Sequence, residues 1–495
     1  MKIYINKFLV VIALVLFTVT SCDQSLEEEY FDEVSSGNFF KTDADAITAV
    51  DALYAKLRAD GPVADNPQRE SWGFFAYGEG SVFNFTEVPT DEVFVTWGIS
   101  SPSSFLGHLM YFTWTPDFGG HFDAMFSDLY EGIAIANNVI ENVEGNENLS
   151  EAIRNRVKGE ALFGRALLYY YAYSFYGNIP LILEVNPDPY FLPAQAPKEE
   201  VAAAIIKDLQ EAVTLLPPSY PASEFGRFTS GAANTLLARF YLNEKQWPEA
   251  EQTARKVIDV YSLADNYGDV FAPDNGGNEE IILAIPSLAQ AGLGNTLVAH
   301  TAESDYVAGS WGGHRIRDEF YNTFDDEDIR KSFIVKSYTN QSGEEKVISN
   351  GAMIMKYAPD PASVVPWAGN DIVILRYAEV LLTLAEALNE IKGPNQESVD
   401  LINQLRDRAF NDDPTKRISL SDFASKEAFR DYILMERGWE LYAEGYRRDD
   451  LIRHGKFISK AKDRGVTNAQ PYHRYYPIPQ TELNINPNLE QNDGY

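Results

Sequence analysis

Aromatic side chains are the residues of this sequence with the clearest capacity for ligand chemistry. Residues 72–126 contain fifteen aromatic residues in 55 positions, about twice the average for the chain. Most of these rings must lie in the core, because one loop region cannot expose so many apolar groups. Trp97, Tyr306 and Trp311 stand beside glycines or polar residues, so they are the rings that we predict to be displayed. The alternative for each ring is that it packs under its own loop.

Displayed rings of this kind suit a sugar ligand. The face of a pyranose presents C–H groups that stack on an electron-rich ring, and its hydroxyls take Asp, Asn or Arg as hydrogen-bonding partners. The polar side chains that we expect to supply such bonds are Asn84, Asp91, Arg315 and Asn370. Two or three rings set along an arc would follow the curve of an oligosaccharide.

Motifs of catalysis and of cofactor binding are absent from the sequence. It has no HExxH, GxSxG, P-loop or GxGxxG pattern, and its six histidines lack metal-ligand spacing. Hydrolysis of a glycosidic bond needs two carboxyls about 5–10 Å apart, and the 73 acidic residues single out no such pair. With these motifs absent, no cofactor is predicted. Acidic side chains could hold a structural calcium ion, but the sequence has no EF-hand spacing that would support one.

The net charge of the chain limits the classes of ligand that it can bind. The chain carries a formal charge of −32, which argues against nucleic acid because phosphate binding needs clustered Lys and Arg. The same field disfavours polyanionic substrates. A neutral glycan fits best.

The N-terminal sequence predicts a lipoprotein signal peptide. Lys2 and Lys7 precede an apolar run at residues 8–19, which is too short to span a bilayer but has the length of a secretory signal. Ser21 precedes Cys22, the only cysteine, which we predict to be the acylated N-terminus after removal of residues 1–21. Ordinary cleavage would instead leave a free thiol without a disulfide partner. Stable anchoring requires more than one acyl chain.

An acidic tether follows the anchor. Residues 22–30 carry four carboxylates and no base, and they resemble the acidic tag that sends some lipoproteins of Bacteroidota-type bacteria to the outer cell surface. A merely soluble linker is the open alternative. We expect an outer-membrane location facing the cell exterior.

Helical periodicity dominates the remaining chain, residues 31–495. The segments with apolar residues at helical spacing are 126–143, 151–176, 198–216, 231–243, 248–261, 372–391, 396–410 and 426–456. Helices paired by short turns predict a mainly α fold, a tetratricopeptide-like scaffold of stacked hairpins. We assign the scaffold to about 31–60, 123–262 and 371–460. The long irregular insertions, about 61–122 and 263–370, are predicted to form the ligand-binding face.

Five stretches in order resemble the SusD/RagB family, and they extend to the C-terminus. They are GEALFGRA at 159–166 with FYGNIPL at 175–181, LRYAEVLL at 375–382 with AEALN at 385–389, INQLRDRA at 402–409, ERGWELYAEG at 436–445, and YPIPQTE at 476–482 with QNDGY at 491–495. One departure is Arg448-Asp449, where the family has two aromatic residues; we expect it to alter local packing rather than function.

The resemblance implies a non-enzymatic lipoprotein that binds glycans and delivers them to a TonB-dependent, SusC-like transporter. It also implies that the ligand aromatics come from the two loop-rich regions, although the family's ligand residues vary. The charged residues within the motifs are expected to be scaffold, paired between stacked helices; they are Glu160, Arg165, Arg376, Glu379, Glu436, Arg437 and Arg447. Two other functions stay open: a surface glycoside hydrolase, and a helical-repeat scaffold that binds only protein.

Overall fold

The computed structural model describes residues 39–58, 61–63, 66–71, 74–75, 80–118 and 120–495. The predicted signal peptide, Cys22 and the tether lie outside these residues. Within them, every helix is too short or too polar to serve as a membrane span.

Helices form most of the structure, as predicted. The α-helices are Asp43–Arg58, Val82–Glu87, Thr96–Ser100, Phe105–Tyr111, His121–Val143, Glu151–Tyr176, Lys198–Leu215, Ser230–Asn243, Trp247–Ala254, Leu297–Thr301, Asp318–Tyr321, Tyr377–Lys392, Gln396–Ala409, Lys426–Leu441, Arg447–Arg453, Phe457–Asp463 and Gln480–Ile485. The longest of them pack against their neighbours along the chain, over one large apolar core and a smaller apolar cluster.

Local chemistry explains where the scaffold helices begin and how closely they pack. The hydroxyl of Ser150 accepts a hydrogen bond from the backbone N–H of Ile153, which caps Glu151–Tyr176 at its first turn. A glycine in the neighbouring helix His121–Val143 lets the two helices approach closely, because a Cβ placed on Gly132 would lie 2.6 Å from Leu168. The mainly α, hairpin-based fold class is confirmed.

Three predicted helices are wrong in part, and in two of them the predicted span contains a break. The predicted helix 372–391 opens as a strand, Ile372–Arg376, which pairs antiparallel with Ile281–Ile285 and is followed by the helix Tyr377–Lys392. Its β-branched, wholly buried run favours a strand. The predicted helix 426–456 ends at Leu441 because the backbone turns through positive φ at Ala443 and Gly445.

The helix predicted over 248–261 is also shorter than expected. It spans Trp247–Ala254, and the following residues form a turn that includes Asp259 with φ 64°. This turn ends the helix, although apolar residues at helical spacing continue in the sequence to residue 261.

Short strands join the two loop-rich regions. The strands are Gly61–Val63, Asn66–Ser71, Val93–Val95, Ile179–Pro180, Gln195–Ala196, Ile281–Ile285, His314–Ile316, Ile334–Val335, Ser337–Thr339, Glu345–Val347, Ala352–Ile354 and Ile372–Arg376. The largest sheet has four strands in the order Val93–Val95, His314–Ile316, Ala352–Ile354, Ile334–Val335. Its first pair connects residues more than 200 positions apart in sequence.

The motif charges are buried and paired, as predicted. Glu160 pairs with Arg156 and Arg227, Arg165 with Asp208, Arg376 with Glu280, Glu440 and Glu444, Glu379 with Arg239, Glu436 with Arg330 and Arg406, Arg437 with Asp450, and Arg447 with Asp91 and Glu92. A buried charge without a partner is costly, so these networks fix how the helices stack.

The departure at Arg448-Asp449 is accommodated inside the scaffold. The Arg448 guanidinium lies 5.1 Å from the centre of the Tyr476 ring and is fully buried. Asp449 accepts hydrogen bonds from the hydroxyls of Tyr170 (2.8 Å) and Ser174 (2.7 Å). The two residues therefore contribute to packing between the scaffold and the C-terminal segment.

Candidate functional site

The four-stranded sheet brings Trp97 and Trp311 together. Val95 pairs with His314 across the sheet, and the backbone N–H of Thr96 donates to the carbonyl of Gly313 at 2.9 Å. The indole of Trp97 then lies directly over Gly313, whose φ is 114°. A Cβ at this position would come within 2.8 Å of the indole. Glycine is required here both by the backbone conformation and by the ring above it.

A cluster of four rings lies at this point. The His300 ring centre is 4.8 Å from that of Trp311, 6.2 Å from that of Trp97 and 5.5 Å from that of His314. All three contacts are close to edge-to-face, an arrangement that favours attraction between aromatic rings. The cluster therefore holds both tryptophans, although they come from separate loop-rich regions.

Trp311 is the exposed member of the cluster, with 51% of its surface accessible. Its backbone N–H donates to the carbonyl of Ala299 at 2.7 Å, and the N–H of Gly312 donates to the same oxygen at 3.2 Å. Trp97 is half-buried and packs against the core. Trp311 is thus displayed on a fixed backbone, and Trp97 supports the cluster from beneath.

His300 and His314 were not predicted as site residues. His300 is 6% exposed, and its Nδ1 has no hydrogen-bond partner within the described ranges. Burial, together with the nearby His314 ring, holds the pKa of His300 well below its ordinary value, so the imidazole is neutral at neutral pH. His314 is buried and its Nε2 bonds to Oδ1 of Asn84 at 2.8 Å. A lone histidine in the sequence gives no signal of this role.

Tyr306 and Arg315 lie near the cluster but are already engaged. The Tyr306 ring is half-buried and contacts the Tyr338 ring at 5.2 Å. Arg315 forms an ion pair with Glu303 and donates to the carbonyl of Asn350 at 2.9 Å. Arg315 directly follows His314 in its strand and therefore borders the cluster, whereas the ring contact of Tyr306 is with Tyr338.

The other predicted polar residues lie in the interior. Asn370 is fully buried and donates to the carbonyls of Phe271 and Ala358. Asn84 is 1% exposed beneath the ring cluster. These two side chains bond to protein groups, so the structure does not place them on a surface that a ligand reaches.

Asp91 also serves the scaffold. Its two carboxylate oxygens accept from Nε and Nη2 of Arg447 at 2.8 and 3.0 Å. Burial opposes ionisation of Asp91, but Arg447 outweighs it and the pKa of this carboxyl lies well below its usual range. The carboxylate is committed to a bidentate pair and does not join the ring cluster.

Gly309, two residues before Trp311, packs against a segment that carries further exposed apolar side chains. Leu288, Leu293, Val364 and Val365 are exposed, and a Cβ on Gly309 would lie 2.8 Å from Val365. Trp367 is half-buried in the same segment and sits against Gly294. We call the surface made by Leu288, Leu293, Trp311, Val364, Val365 and Trp367 the loop face. Among the residues that the structure describes, no three His, Asp or Glu side chains come together as a metal site.

The chain belongs to the SusD family. Residues 248–495 match the sequence model described as SusD family, which spans half of the chain. Residues 99–242 match a second model, described as starch-binding associating with outer membrane. The resemblance drawn from the five motifs is confirmed.

Similar curated proteins cover nearly the whole chain. SusD-like protein P25 of Formosa agariphila is 26% identical over 98% of this chain and 98% of its own length. The starch-binding protein SusD of Bacteroides thetaiotaomicron is 27% identical over 98% of this chain and 97% of its own.

Solved structures share the fold at low identity. A SusD homolog from Bacteroides thetaiotaomicron aligns with a TM-score of 0.77 at 20% identity, over 94% of this chain and 99% of that one. A laminarin-binding SusD-like protein aligns with a TM-score of 0.75 at 23% identity, over 91% and 99%. Surface glycan-binding protein A from Bacteroides thetaiotaomicron, solved with laminarihexaose, gives 0.74 at 20% identity over the same shares.

Proposed function

We propose that this protein is an outer-membrane lipoprotein that binds a neutral oligosaccharide on its loop face and delivers it to a TonB-dependent, SusC-like transporter. The observation that carries the proposal is Trp311. Its indole is half exposed, its backbone is fixed by the Ala299 carbonyl, and the edge contact with His300 leaves indole surface open. Such a ring is a platform for the C–H face of a sugar.

The charge of the loop face supports a neutral ligand. Arg315, the basic residue beside the ring cluster, is already paired with Glu303, and His300 is uncharged at neutral pH. An anionic sugar would therefore meet no unpaired cation from these two residues, within a chain of formal charge −32. Relatives named for starch and laminarin binding take uncharged polysaccharides, which supports the same class of ligand.

Binding without cleavage is part of the proposal. Glu303, the carboxylate beside the ring cluster, is paired with Arg315. Hydrolysis would need two carboxyls facing each other across the bound sugar. The surface we assign to the ligand is instead made of tryptophan, leucine and valine side chains.

A lipid anchor at Cys22 would keep the protein close to the membrane. Sixteen residues separate Cys22 from Phe39, where the described chain begins. Fully extended, they would reach roughly 60 Å. A tether of that length would let the protein tilt while it transfers ligand to a membrane protein.

Isothermal titration with laminarihexaose and maltoheptaose tests the site. We expect the wild-type protein to bind at least one of them and Trp311→Ala to bind it at least tenfold more weakly, with Trp97→Ala showing a smaller loss. Tyr190→Ala is the matched control, because Tyr190 is a highly exposed ring outside the loop face. Unchanged affinity in both tryptophan variants would show that the site is misassigned. Release of shorter sugars on prolonged incubation would favour a hydrolase.

A further inference from the structure

A second exposed apolar surface lies on the hairpin 181–194, away from the loop face in sequence. It connects the paired strands Ile179–Pro180 and Gln195–Ala196. Sixteen large apolar side chains are exposed in the described part of the chain, and five of them fall within this hairpin. They are Leu183, Val185, Tyr190, Phe191 and Leu192, and Tyr190 is 86% exposed. Scattered exposed apolar residues are ordinary, but a cluster of this kind marks an interaction surface.

The scaffold holds this hairpin at both ends. On one side the Arg165 guanidinium donates to the carbonyl of Leu183 at 2.8 Å, and Asn137 donates to the carbonyl of Ile182 at 2.9 Å. Arg165 is itself fixed by its buried pair with Asp208. The apolar residues are therefore presented on a fixed base.

The C-terminal segment holds the other end. Asn486 donates to the carbonyl of Pro193 and Asn488 to the carbonyl of Leu192, both at 2.8 Å. These bonds bring Ile485, which is 66% exposed, next to the hairpin. We call Leu183, Val185, Tyr190, Phe191, Leu192 and Ile485 together the apolar hairpin surface.

We propose that the apolar hairpin surface docks this protein onto a membrane-embedded protein partner that offers an apolar pocket bordered by Lys or Arg. The inference rests on the proposed function, since it identifies the surface by which the transporter is engaged. Tyrosine at the centre of a displayed apolar cluster is a frequent anchor of protein interfaces, where it fills a pocket on the partner.

Charge favours a protein over a lipid surface as the occupant. Residues 181–196 contain no Lys or Arg, and Glu184 and Asp188 are the charged residues among them. Segments that bind lipid headgroups combine apolar residues with clustered bases, because membrane surfaces are anionic. An acidic, base-free hairpin would be repelled there, whereas a basic border on a protein pocket would complement it.

The position of the surface fits a partner in the same membrane. Asn137 holds the hairpin, and Asn146, nine residues further along, donates to the carbonyl of Phe40 near the first described residue. The helix covers residues 137–143 of this stretch, roughly 9 Å, and Asn146 lies three residues beyond its last residue, Val143. The apolar hairpin surface thus lies close to the point where the chain arrives from the predicted anchor at Cys22.

The test measures affinity for the proposed transporter, purified in lipid nanodiscs, by biolayer interferometry. The variant carries Tyr190→Ser with Phe191→Ser, and the control carries Val260→Ser with Val347→Ser, two exposed valines elsewhere on the molecule. We expect the first variant to bind at least tenfold more weakly and the control to match the wild type. Glycan affinity, measured in parallel by isothermal titration, should not change in either.

Each other outcome rejects the inference in a distinct way. Equal transporter affinity in both variants would overturn it while leaving the proposed function intact. Absence of any wild-type complex would reject both the docking surface and the delivery step, and glycan binding would then stand alone. Binding of the Cys22→Ser full chain to phosphatidylcholine–phosphatidylglycerol vesicles, lost with the serine pair, would assign the surface to lipid. A concentration-dependent dimer, lost with the serine pair, would assign it to a second copy of the chain.

Discussion

The helical scaffold and the loop face differ in where their charged side chains lie. The scaffold buries them in ion pairs, whereas the loop face consists of apolar side chains. In the scaffold, Arg330 and Arg376 are fully buried, and each guanidinium contacts three carboxylates. Beside Trp311 lie an uncharged histidine, His300, and the largely buried ion pair of Arg315 with Glu303. Buried pairs confer specific stacking, whereas an uncharged surface leaves apolar area for a ligand. Rigidity and ligand binding are therefore assigned to separate parts of this fold.

The largest expected effect is on scaffold stability. Arg376→Ala would leave Glu280, Glu440 and Glu444 without their shared partner, so we expect the free energy of unfolding to fall by about 3–5 kcal/mol. Urea denaturation followed by circular dichroism measures this. Arg417→Ala is the control, because its pair with Asp407 is exposed and should cost about 0–1 kcal/mol. Equal losses would contradict the role assigned to the buried network.

A substitution where the sheet meets the ring cluster should affect both stability and binding. Gly313→Ala adds a Cβ beneath Trp97 at positive φ, which we expect to lower the free energy of unfolding by about 1–3 kcal/mol. Titration with the bound glycan should also show weaker binding, since Trp97 must move. Gly343→Ala is the control, because Gly343 also has positive φ but has open space around it. Its loss of stability reports backbone strain alone, without a contact to a ring. A variant at Gly313 that kept wild-type affinity would show that the cluster does not depend on Trp97.

The contact between Glu87, in the first loop-rich region, and Gly445 of the scaffold should make the stability of the protein depend on pH. Glu87 accepts from the N–H of Gly445 at 2.6 Å, and burial raises its pKa to about 8 from an ordinary 4.5. The folded state therefore holds this proton more tightly than the unfolded state, and that contribution to stability falls as pH rises from about 4.5 through 8.

Glu87→Gln removes this titration. We expect its Tm relative to the wild type to increase between pH 5 and pH 9, measured by differential scanning calorimetry. The exposed Glu490→Gln should give a constant difference over the same range. If the Tm values of Glu87→Gln and the wild type differed by the same amount at every pH, this carboxyl would not be protonated in the folded protein.

The smallest expected effect concerns His300. If its ring acts as a spacer beneath Trp311, His300→Phe should preserve the edge contact and change glycan affinity less than threefold, whereas His300→Ala should lower it more. Titration at pH 7 tests both variants. A large loss in His300→Phe alone would indicate that a ring nitrogen contacts the ligand.

Periodicity predicted the scaffold well, and its errors have local causes. Glu151–Tyr176 begins and ends where the pattern and the glycine stop indicate. Ile372–Arg376 was misread because a short buried apolar run fits a strand or a helix equally. The break after Leu441 depends on positive φ at Ala443, which alanine does not signal in a sequence.

The candidate site was less predictable because its members meet through long-range pairing. Trp97 and Trp311 carry a recognisable signal, an aromatic ring beside glycine. Asp91 looked available in the sequence, but its partner Arg447 is 356 residues away. Asn370 looked similar and lies in the core. The exposure of a polar side chain follows from the assembled fold, which local sequence does not encode.

The pairing of Val93–Val95 with His314–Ile316 has a consequence for how the protein is made. The two strands are separated by more than 200 residues, so their contact has high contact order and closes a long loop of chain. The scaffold hairpins form from neighbours and can assemble as they emerge during synthesis. The ring cluster must wait until both distant segments are present. Ligand recognition is therefore expected to be among the last properties that the folding chain acquires.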